Sequence, residues 1–214
     1  RTPLAATLAQ VQRLRRDAPD GPLQDRAIQI EKSLKELARL TEKLLQLAKA
    51  EGGGVLSEVP QDLAVLLSHV VQDLQRTTSV SIELSLPTTG PVLSLIDTDA
   101  FSILARNLIE NALKHGAPGD AIQVSLSENA RLSVLNAGAV VPPAELGELP
   151  SHFVRGDSRT EGFGLGLAIV STIADGVGAE LILASPASGR ADGFEATVKF
   201  ILNLPLRSDR PRPG

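Results

Sequence analysis

The 214-residue sequence contains no cysteine, methionine, tryptophan or tyrosine, and only five phenylalanines. Without cysteine, the chain has no disulfide framework and no thiolate metal site. With so few aromatic residues, the hydrophobic core must be built from Leu, Ile, Val and Ala side chains. No apolar run reaches the length of a membrane span, and no signal peptide is visible. Because a full-length chain begins with methionine, its absence indicates a piece of a longer protein.

The rest of the composition is ordinary for a soluble globular protein, with 43% hydrophobic and 21% charged residues. The formal net charge is -4. Generic nucleic-acid binding is therefore not favoured, and we expect no nucleic-acid partner. The length allows one large domain or two small ones.

The first fifty residues predict a helical hairpin. Residues 2–16 and 23–50 carry apolar stripes at helical spacing, and the segment 17–22 between them is rich in helix breakers. The longer stripe is nearly heptad, with Ala27, Ile30, Leu34, Leu37, Leu44 and Ala48. Because a lone hairpin cannot bury both of its faces, we expect a homodimer through residues 1–50, as a four-helix bundle.

Helical and strand patterns alternate after Gly52-Gly53-Gly54, which we interpret as a flexible joint and domain boundary. Helices are predicted at 60–76, 98–115 and 165–177, and strands at 80–86, 92–96, 122–126, 132–135, 179–183 and 194–202. The segment 136–163 has few periodic apolar positions and is predicted to be a long mobile loop, such as a lid. The fold class is therefore α+β. The predicted domains are a hairpin at 1–51, a second domain at 55–205 and a disordered tail at 206–214.

The segment 107–116 places polar side chains at helical spacing. Asn107, Asn111 and Lys114 share one face of the predicted helix. Two carboxamides and an ammonium on one face suit a hydrated metal ion and the phosphates that it binds.

A second segment, 161–170, has glycines at positions 162, 164 and 166 and then continues as an apolar helix. Such a turn lets backbone amides approach phosphate oxygens, although a lone glycine triplet is more often only a loop. In this order and at this distance, the two segments resemble the N box and the second glycine box of bacterial two-component sensor histidine kinases, members of the GHKL ATPase superfamily. The resemblance covers nearly the whole chain and implies a helical hairpin that forms a dimeric four-helix bundle, followed by an α/β sandwich.

The resemblance implies an enzyme, a protein-histidine kinase with ATP and Mg²⁺ as cofactors. It would transfer the γ-phosphate of ATP to a histidine of its dimerisation helix, for relay to the receiver domain of a response regulator. The family places such a region on the cytoplasmic side of a bacterial inner-membrane protein, with this fragment itself soluble. The first five residues resemble the end of the family's H box, so the acceptor histidine would precede Arg1 and is absent from this chain. Thr2 matches a family threonine implicated in removing phosphate from the regulator; the alternative is a simple helix cap.

The resemblance also assigns roles around the phosphates. Asn111 is the implied Mg²⁺ ligand, and Asn107, one turn earlier, contacts the phosphates or a metal-bound water. Lys114 and His115 contact phosphate. The alternatives are a solvated surface charge at Lys114 and a helix C-cap at His115.

The implied adenine contact is Asn136, with Gly138 beside it in the first glycine box. This box has Asn136 where the family has an aspartate, and it lacks the second glycine. The alternative is a turn after a strand. Phe153 and Arg155 match the family's F box, in which the phenylalanine anchors the lid and the arginine reaches the phosphates or the helical bundle. The second glycine box completes the implied nucleotide contacts, with Gly162, Gly164, Leu165, Gly166 and Leu167.

Position 107 separates two chemistries. In the hydrolytic members of the superfamily a glutamate at this place activates water, whereas Asn107 cannot act as a general base. Glu110 adjoins Asn111 in sequence and so points about 100° away from it on a helix. The site therefore favours transfer to a protein side chain, with Asn107, Lys114 and Thr2 as the candidate catalytic residues.

Two other functions remain open. A catalytically silent nucleotide-binding and dimerisation module would explain the missing histidine and the altered first glycine box. A serine kinase of the anti-sigma type is a third reading, but such kinases lack a helical hairpin.

Overall fold

The computed structural model describes residues 2–18, 21–150 and 164–201. Within these ranges, no helix combines the length and the apolar character needed to cross a membrane. The chain divides into two compact units, and the division falls inside one helix, between Gln46 and Leu47. In chain order the elements are α1 (Thr2–Asp17), α2 (Pro22–Glu51), β1 (Leu56–Asp62), α3 (Leu63–Gln75), β2 (Ile82–Ser85), β3 (Leu93–Ile96), α4 (Thr98–His115), β4 (Ile122–Leu126), β5 (Arg131–Asn136), α5 (Pro143–Leu146), α6 (Gly166–Gly176), β6 (Glu180–Ala184) and β7 (Phe194–Lys199).

The first unit contains α1 and most of α2. A buried carboxylate ties the two helices: Glu31, only 4% exposed, lies 2.9 Å from the Arg15 guanidinium and 2.7 Å from the Lys35 ammonium. Gln12 donates a further hydrogen bond of 3.3 Å to Glu31. The bond from Lys35 is the largest of the effects that hold the pKa of Glu31 below its ordinary value, and Gln12 and Arg15 add to it. The carboxylate therefore stays charged and holds α1 against α2.

The second unit is built on a five-stranded sheet in the order β2-β4-β5-β7-β6. The pair β2 and β4 is parallel, and the other three pairs are antiparallel. Side chains alternate along β4, where Ile122, Val124 and Leu126 are buried and Gln123 and Ser125 are exposed, as expected for a sheet with one covered face. Helices α3, α4 and α6 contact the sheet, and their apolar residues supply the aliphatic core. This hairpin followed by an α/β layer structure confirms the predicted α+β fold class.

Helix α4 has the bounds that the sequence predicts, because both of its ends carry local signals. The Asp97 carboxylate accepts hydrogen bonds from the amides of Asp99 and Ala100, at 3.0 and 3.1 Å, and so caps the first turn. At the other end, Gly116 follows the last helical residue, His115. The polar residues of the N box therefore lie in the last turns of α4.

The predicted helix at 60–76 is wrong at its start. Residues 56–62 form β1, which pairs antiparallel with β3, and the helix begins only at Leu63. Asp62 caps it by accepting a hydrogen bond of 3.0 Å from the amide of Ala64. The ladder between β1 and β3 is irregular between Leu56 and Gln61, the stretch that contains Pro60. The short helix α5 also interrupts the segment that the sequence predicts to be only loop.

Candidate functional site

The N-box residues lie along α4 at different depths. Asn107 is 2% exposed, and its amide nitrogen donates a hydrogen bond of 2.7 Å to the carbonyl of Ile103, on its own helix. A Cβ placed on Gly166, the first residue of α6, would be 3.6 Å from Oδ1 of Asn107. Asn107 therefore lies where α4 meets the beginning of α6. Asn111 is half-buried, and Lys114 is exposed.

His115 ends α4, and its side chain keeps contact with solvent. Desolvation by the surrounding protein lowers the pKa of His115 below its ordinary value of 6.5, and the neighbouring Lys114 ammonium lowers it further. The imidazole is therefore neutral at pH 7, when it can both donate and accept a hydrogen bond.

Asn136 ends β5 and is 2% exposed. Its amide nitrogen donates a hydrogen bond of 2.9 Å to the carbonyl of Ala137. Its Oδ1 is buried and has no hydrogen-bond partner within the part of the chain that the structure describes. Buried polar atoms are almost always hydrogen-bonded. This oxygen is therefore an acceptor suited to a donor group of a bound ligand.

The turn after β5 lies against the end of α4. The amide of Ala117 donates a hydrogen bond of 2.8 Å to the carbonyl of Ala137. Gly138 has φ +149°, and a Cβ there would be 3.0 Å from the carbonyl oxygen of His115 and 3.6 Å from Nδ2 of Asn136. A side chain at position 138 would thus be strained and would fill this space. The structure therefore brings Asn136, Gly138 and His115 together.

The beginning of α6 carries the described part of the second glycine box. Gly164 has φ +66°, in the left-handed region, and Leu165 precedes the helix without a side-chain hydrogen bond to its first amides. Leu165 and Leu167 are 1% and 8% exposed and so anchor this turn in the core. The N-terminus of α6 is of the kind that commonly binds anions through its first amides.

The geometry given above does not include four of the predicted site residues. Phe153, Arg155 and Gly162 lie outside the described residues. Thr2 is the first residue of α1, and its side chain also lies outside what the structure describes.

Sequence reasoning missed two residues that contact the first glycine box or the segment that follows it. The amide of Gly193 donates a hydrogen bond of 2.9 Å to the carbonyl of Gly138. The hydroxyl of Ser185 accepts a hydrogen bond of 2.9 Å from the amide of Val141 and donates one of 2.7 Å to the carbonyl of Gly193. Both residues lie in the connection between β6 and β7, about fifty residues downstream. The turn residues around Gly193 indicate a loop, but nothing local indicates what that loop contacts.

Comparisons with known proteins bear on the family of this chain. Residues 96–208, more than half of the chain, match the family described as histidine kinase-, DNA gyrase B-, and HSP90-like ATPase. The swarming motility regulation sensor protein RssA of Serratia marcescens is 30% identical over 220 residues, which cover 99% of this chain and 45% of RssA. The structure of full-length ShkA in complex with AMPPNP has a TM-score of 0.70 at 21% identity and covers 95% of this chain and 44% of that one. The Acinetobacter baumannii histidine kinase AdeS has a TM-score of 0.62 at 20% identity and covers 94% of this chain and 96% of that one.

This chain belongs to the family of histidine kinase-, DNA gyrase B- and HSP90-like ATPases. Within that family its relatives are sensor histidine kinases, and it carries their ATP-binding domain. The resemblance found in the sequence is therefore confirmed. The chain spans less than half the length of RssA.

Proposed function

We propose that this chain is the catalytic region of a sensor histidine kinase, which binds ATP with Mg²⁺ and transfers the γ-phosphate to a histidine of a dimerisation helix. The observation that carries the proposal is the buried Oδ1 of Asn136, which has no hydrogen-bond partner among the described residues. The amide nitrogen of the same side chain adjoins the space at Gly138 that a side chain would fill. The Oδ1 atom can accept a hydrogen bond from the exocyclic amino group of adenine.

The other end of the nucleotide is assigned to α4 and α6. Asn107 and Gly166 adjoin each other, so the N-box helix meets the N-terminus of α6. The first amides of α6 and the exposed ammonium of Lys114 suit the charge of a triphosphate. The backbone carbonyl of His115 lies next to Gly138. In this arrangement one face of α4 follows the phosphates of a nucleotide whose base lies at the end of β5.

The residues present fit an Mg²⁺ ion bound together with ATP. No group of three acidic or histidine side chains that could hold a metal occurs in the described ranges. A magnesium ion would then take most of its oxygen ligands from phosphate and water, with the carboxamide of Asn111 as the protein ligand. When bound, the ion neutralises charge that develops on the phosphates.

Transfer is proposed in preference to hydrolysis because of Asn107. Its side chain is a neutral amide, is almost fully buried and donates to its own helix. An amide cannot take a proton from water, so this position supplies no general base. From its burial we infer that Asn107 acts chiefly by holding the first turn of α6 against α4. A direct contact of Asn107 with the phosphates stays a prediction.

The partners in this proposal are a second copy of the chain and the receiver domain of a response regulator. Four large apolar residues of α2, spaced seven apart, are between 43% and 52% exposed in one chain: Leu23, Ile30, Leu37 and Leu44. Such a stripe is typical of a helix that packs in a bundle. RssA is named a sensor protein, which supports the regulator as the second partner. A role for Thr2 in removing phosphate from the regulator stays a prediction.

Titration of the chain with ATP, with and without Mg²⁺, tests the nucleotide part of this proposal. We expect Asn136→Ala to weaken ATP binding by about tenfold or more, because a buried donor of the base would lose its acceptor. We expect Asn111→Ala to remove the effect of Mg²⁺ on affinity. Asn129→Ala, in an exposed turn at the other end of β5, is the matched control and should bind normally. A parent chain that does not bind ATP would refute the proposal.

The transfer step needs a helical hairpin that contains the acceptor histidine. With such a hairpin supplied and with γ-labelled ATP, we expect label on an acid-labile, base-stable residue. ATP binding without any transfer would instead favour the catalytically silent module.

A further inference from the structure

Ser185 lies in the connection between β6 and β7 and is half-buried. Its hydroxyl makes two hydrogen bonds to backbone groups from different parts of the chain. It accepts from the amide of Val141 at 2.9 Å and donates to the carbonyl of Gly193 at 2.7 Å. One hydroxyl therefore joins the segment that follows the first glycine box to the start of β7.

Gly193 in turn contacts the first glycine box itself. Its amide donates to the carbonyl of Gly138 at 2.9 Å. Its φ is +80°, and a Cβ on Gly193 would overlap the carbonyl oxygen of Asn136. The backbone of Gly193 thus packs directly against the backbone of Asn136, whose Oδ1 has no partner in the part of the chain that the structure describes.

The connection that holds Ser185 is itself braced. The amide of Ala187 donates to the carbonyl of Asp192 at 3.0 Å, and the Arg190 guanidinium lies 2.8 Å from the Asp192 carboxylate. The amide of Ser188 donates to the carboxylate of Glu195, in β7, at 3.1 Å. A hydroxyl mounted on such a turn can hold a neighbouring segment in place.

We propose that Ser185 is a positioning residue for nucleotide binding. By tying Val141 to Gly193, it keeps residues 136–141 against the β6–β7 connection and so holds the buried Oδ1 of Asn136 in the direction of the bound base. This inference rests on the proposed function, in which Asn136 accepts from adenine. In this proposal Ser185 contacts neither the nucleotide nor the acceptor histidine.

The test compares Ser185→Ala with the parent chain, by calorimetric titration with ATP and with ADP. Because both hydrogen bonds of the hydroxyl are lost, and with them the link between Val141 and Gly193, we expect Ser185→Ala to weaken the binding of both nucleotides by the same factor, about threefold to tenfold. The ratio of ATP to ADP affinity should stay unchanged, since the effect is at the base and not at the phosphates. Where transfer to a supplied hairpin is measured, KM for ATP should rise while kcat at saturating ATP stays at the parent value.

Two further variants separate positioning from general stability. Ser185→Thr keeps the hydroxyl and should bind ATP within about twofold of the parent. Ser127→Ala removes a hydroxyl at the opposite end of β5. This hydroxyl likewise accepts a hydrogen bond from a backbone amide, that of Arg131, at 3.2 Å. The Ser127→Ala variant should lower the melting temperature, as we also expect of Ser185→Ala, and leave nucleotide affinity unchanged.

Several results would overturn the inference. The first is an ATP affinity of Ser185→Ala equal to that of the parent. The second is a loss of ATP affinity in Ser127→Ala as large as that in Ser185→Ala. The third is an equally large loss in Ser185→Thr, which would assign the effect to packing and not to the hydroxyl. In each of these cases the parent still binds ATP, so the proposed function stands. A parent chain that fails to bind ATP would remove both the proposed function and this inference.

Discussion

The ammonium of Lys49 lies 2.8 Å from a carboxylate oxygen of Asp99, so the end of α2 is paired with the first turn of α4. The hydrogen bond to Asp99 raises the pKa of Lys49 above its ordinary value. A few residues on, the carbonyl of Val55 accepts a hydrogen bond of 2.8 Å from the amide of Asp97, the residue that caps α4. Leu47, Ala50 and Val55 are all buried. The last turn of α2 is therefore part of the unit that carries the candidate nucleotide site.

The contact between Val55 and Gly176 gives a stability prediction. A Cβ on Gly176, at the end of α6, would be only 2.8 Å from Cγ2 of Val55. We expect Gly176→Ala to destabilise the protein by about 1 to 3 kcal/mol, the usual cost of overpacking a core. The matched control is Gly147→Ala, which has open space around the added carbon and a φ of -69°. It should be neutral or slightly stabilising in the same denaturant-unfolding experiment, and equal stability of the two variants would contradict the prediction.

Asn107 gives a prediction about hydrolysis. If its neutral amide is what prevents water activation, Asn107→Glu should raise ATP hydrolysis, because a positioned general base contributes about 10²- to 10⁴-fold. The gain is expected at the lower end, since position 107 is 2% exposed and burial disfavours a charged carboxylate. Phosphate release at saturating ATP is the measurement, and Asn107→Gln is the neutral control of the same size. If Asn107→Glu binds ATP with Mg²⁺ yet hydrolyses no faster than Asn107→Gln, another feature restrains hydrolysis.

The heptad stripe of α2 gives a prediction about assembly. Leu37 is 50% exposed in one chain, and the proposed homodimer would bury it. Leu37→Asp should dissociate that dimer, because it would bury an unpaired charge. Arg39→Asp also adds negative charge, but about 200° around the helix from Leu37, and should remain dimeric. Light scattering at micromolar concentration distinguishes them, and a parent chain that is already monomeric would count against the bundle.

His115 gives a pH prediction. Because desolvation lowers its pKa in the folded protein, the unfolded chain takes up a proton first as the pH falls below 6.5. The contribution of His115 to stability is therefore full above pH 6.5 and is lost as the pH falls through the folded pKa. His115→Gln should reduce the dependence of the melting temperature on pH in this window. An unchanged dependence would show that other groups control it.

The same histidine should report on nucleotide binding. The negative charge of bound phosphates favours the imidazolium form and should raise the pKa of His115. ATP binding just below pH 6.5 should then take up protons, which calorimetry in buffers of different ionisation enthalpy measures. Proton uptake of the same size in His115→Gln would mean that His115 does not contact the phosphates.

Some elements were predicted because their signals are local. Asp97 and Gly116 bracket α4, and the apolar spacing between them is that of a helix, so its bounds at 98 and 115 agree with the structure. Strand β1 was missed because its partner, β3, lies more than thirty residues away and Pro60 resembles a helix start. Strand pairing depends on such distant partners, which periodicity in one segment does not contain.

For the site, the sequence by itself determined the residue types: the carboxamides and ammonium of α4, the glycines before α6, and Asn136 in place of an acid. Their spacing within single elements follows from helix geometry. Only the tertiary structure decided that Asn107 is buried beside Gly166, that His115 adjoins Gly138, and that Ser185 and Gly193 hold the turn after Asn136. These contacts join residues more than twenty positions apart, and they exist because sheet pairing and helix packing bring those backbones together. Patterns within a single segment of the sequence do not predict that packing.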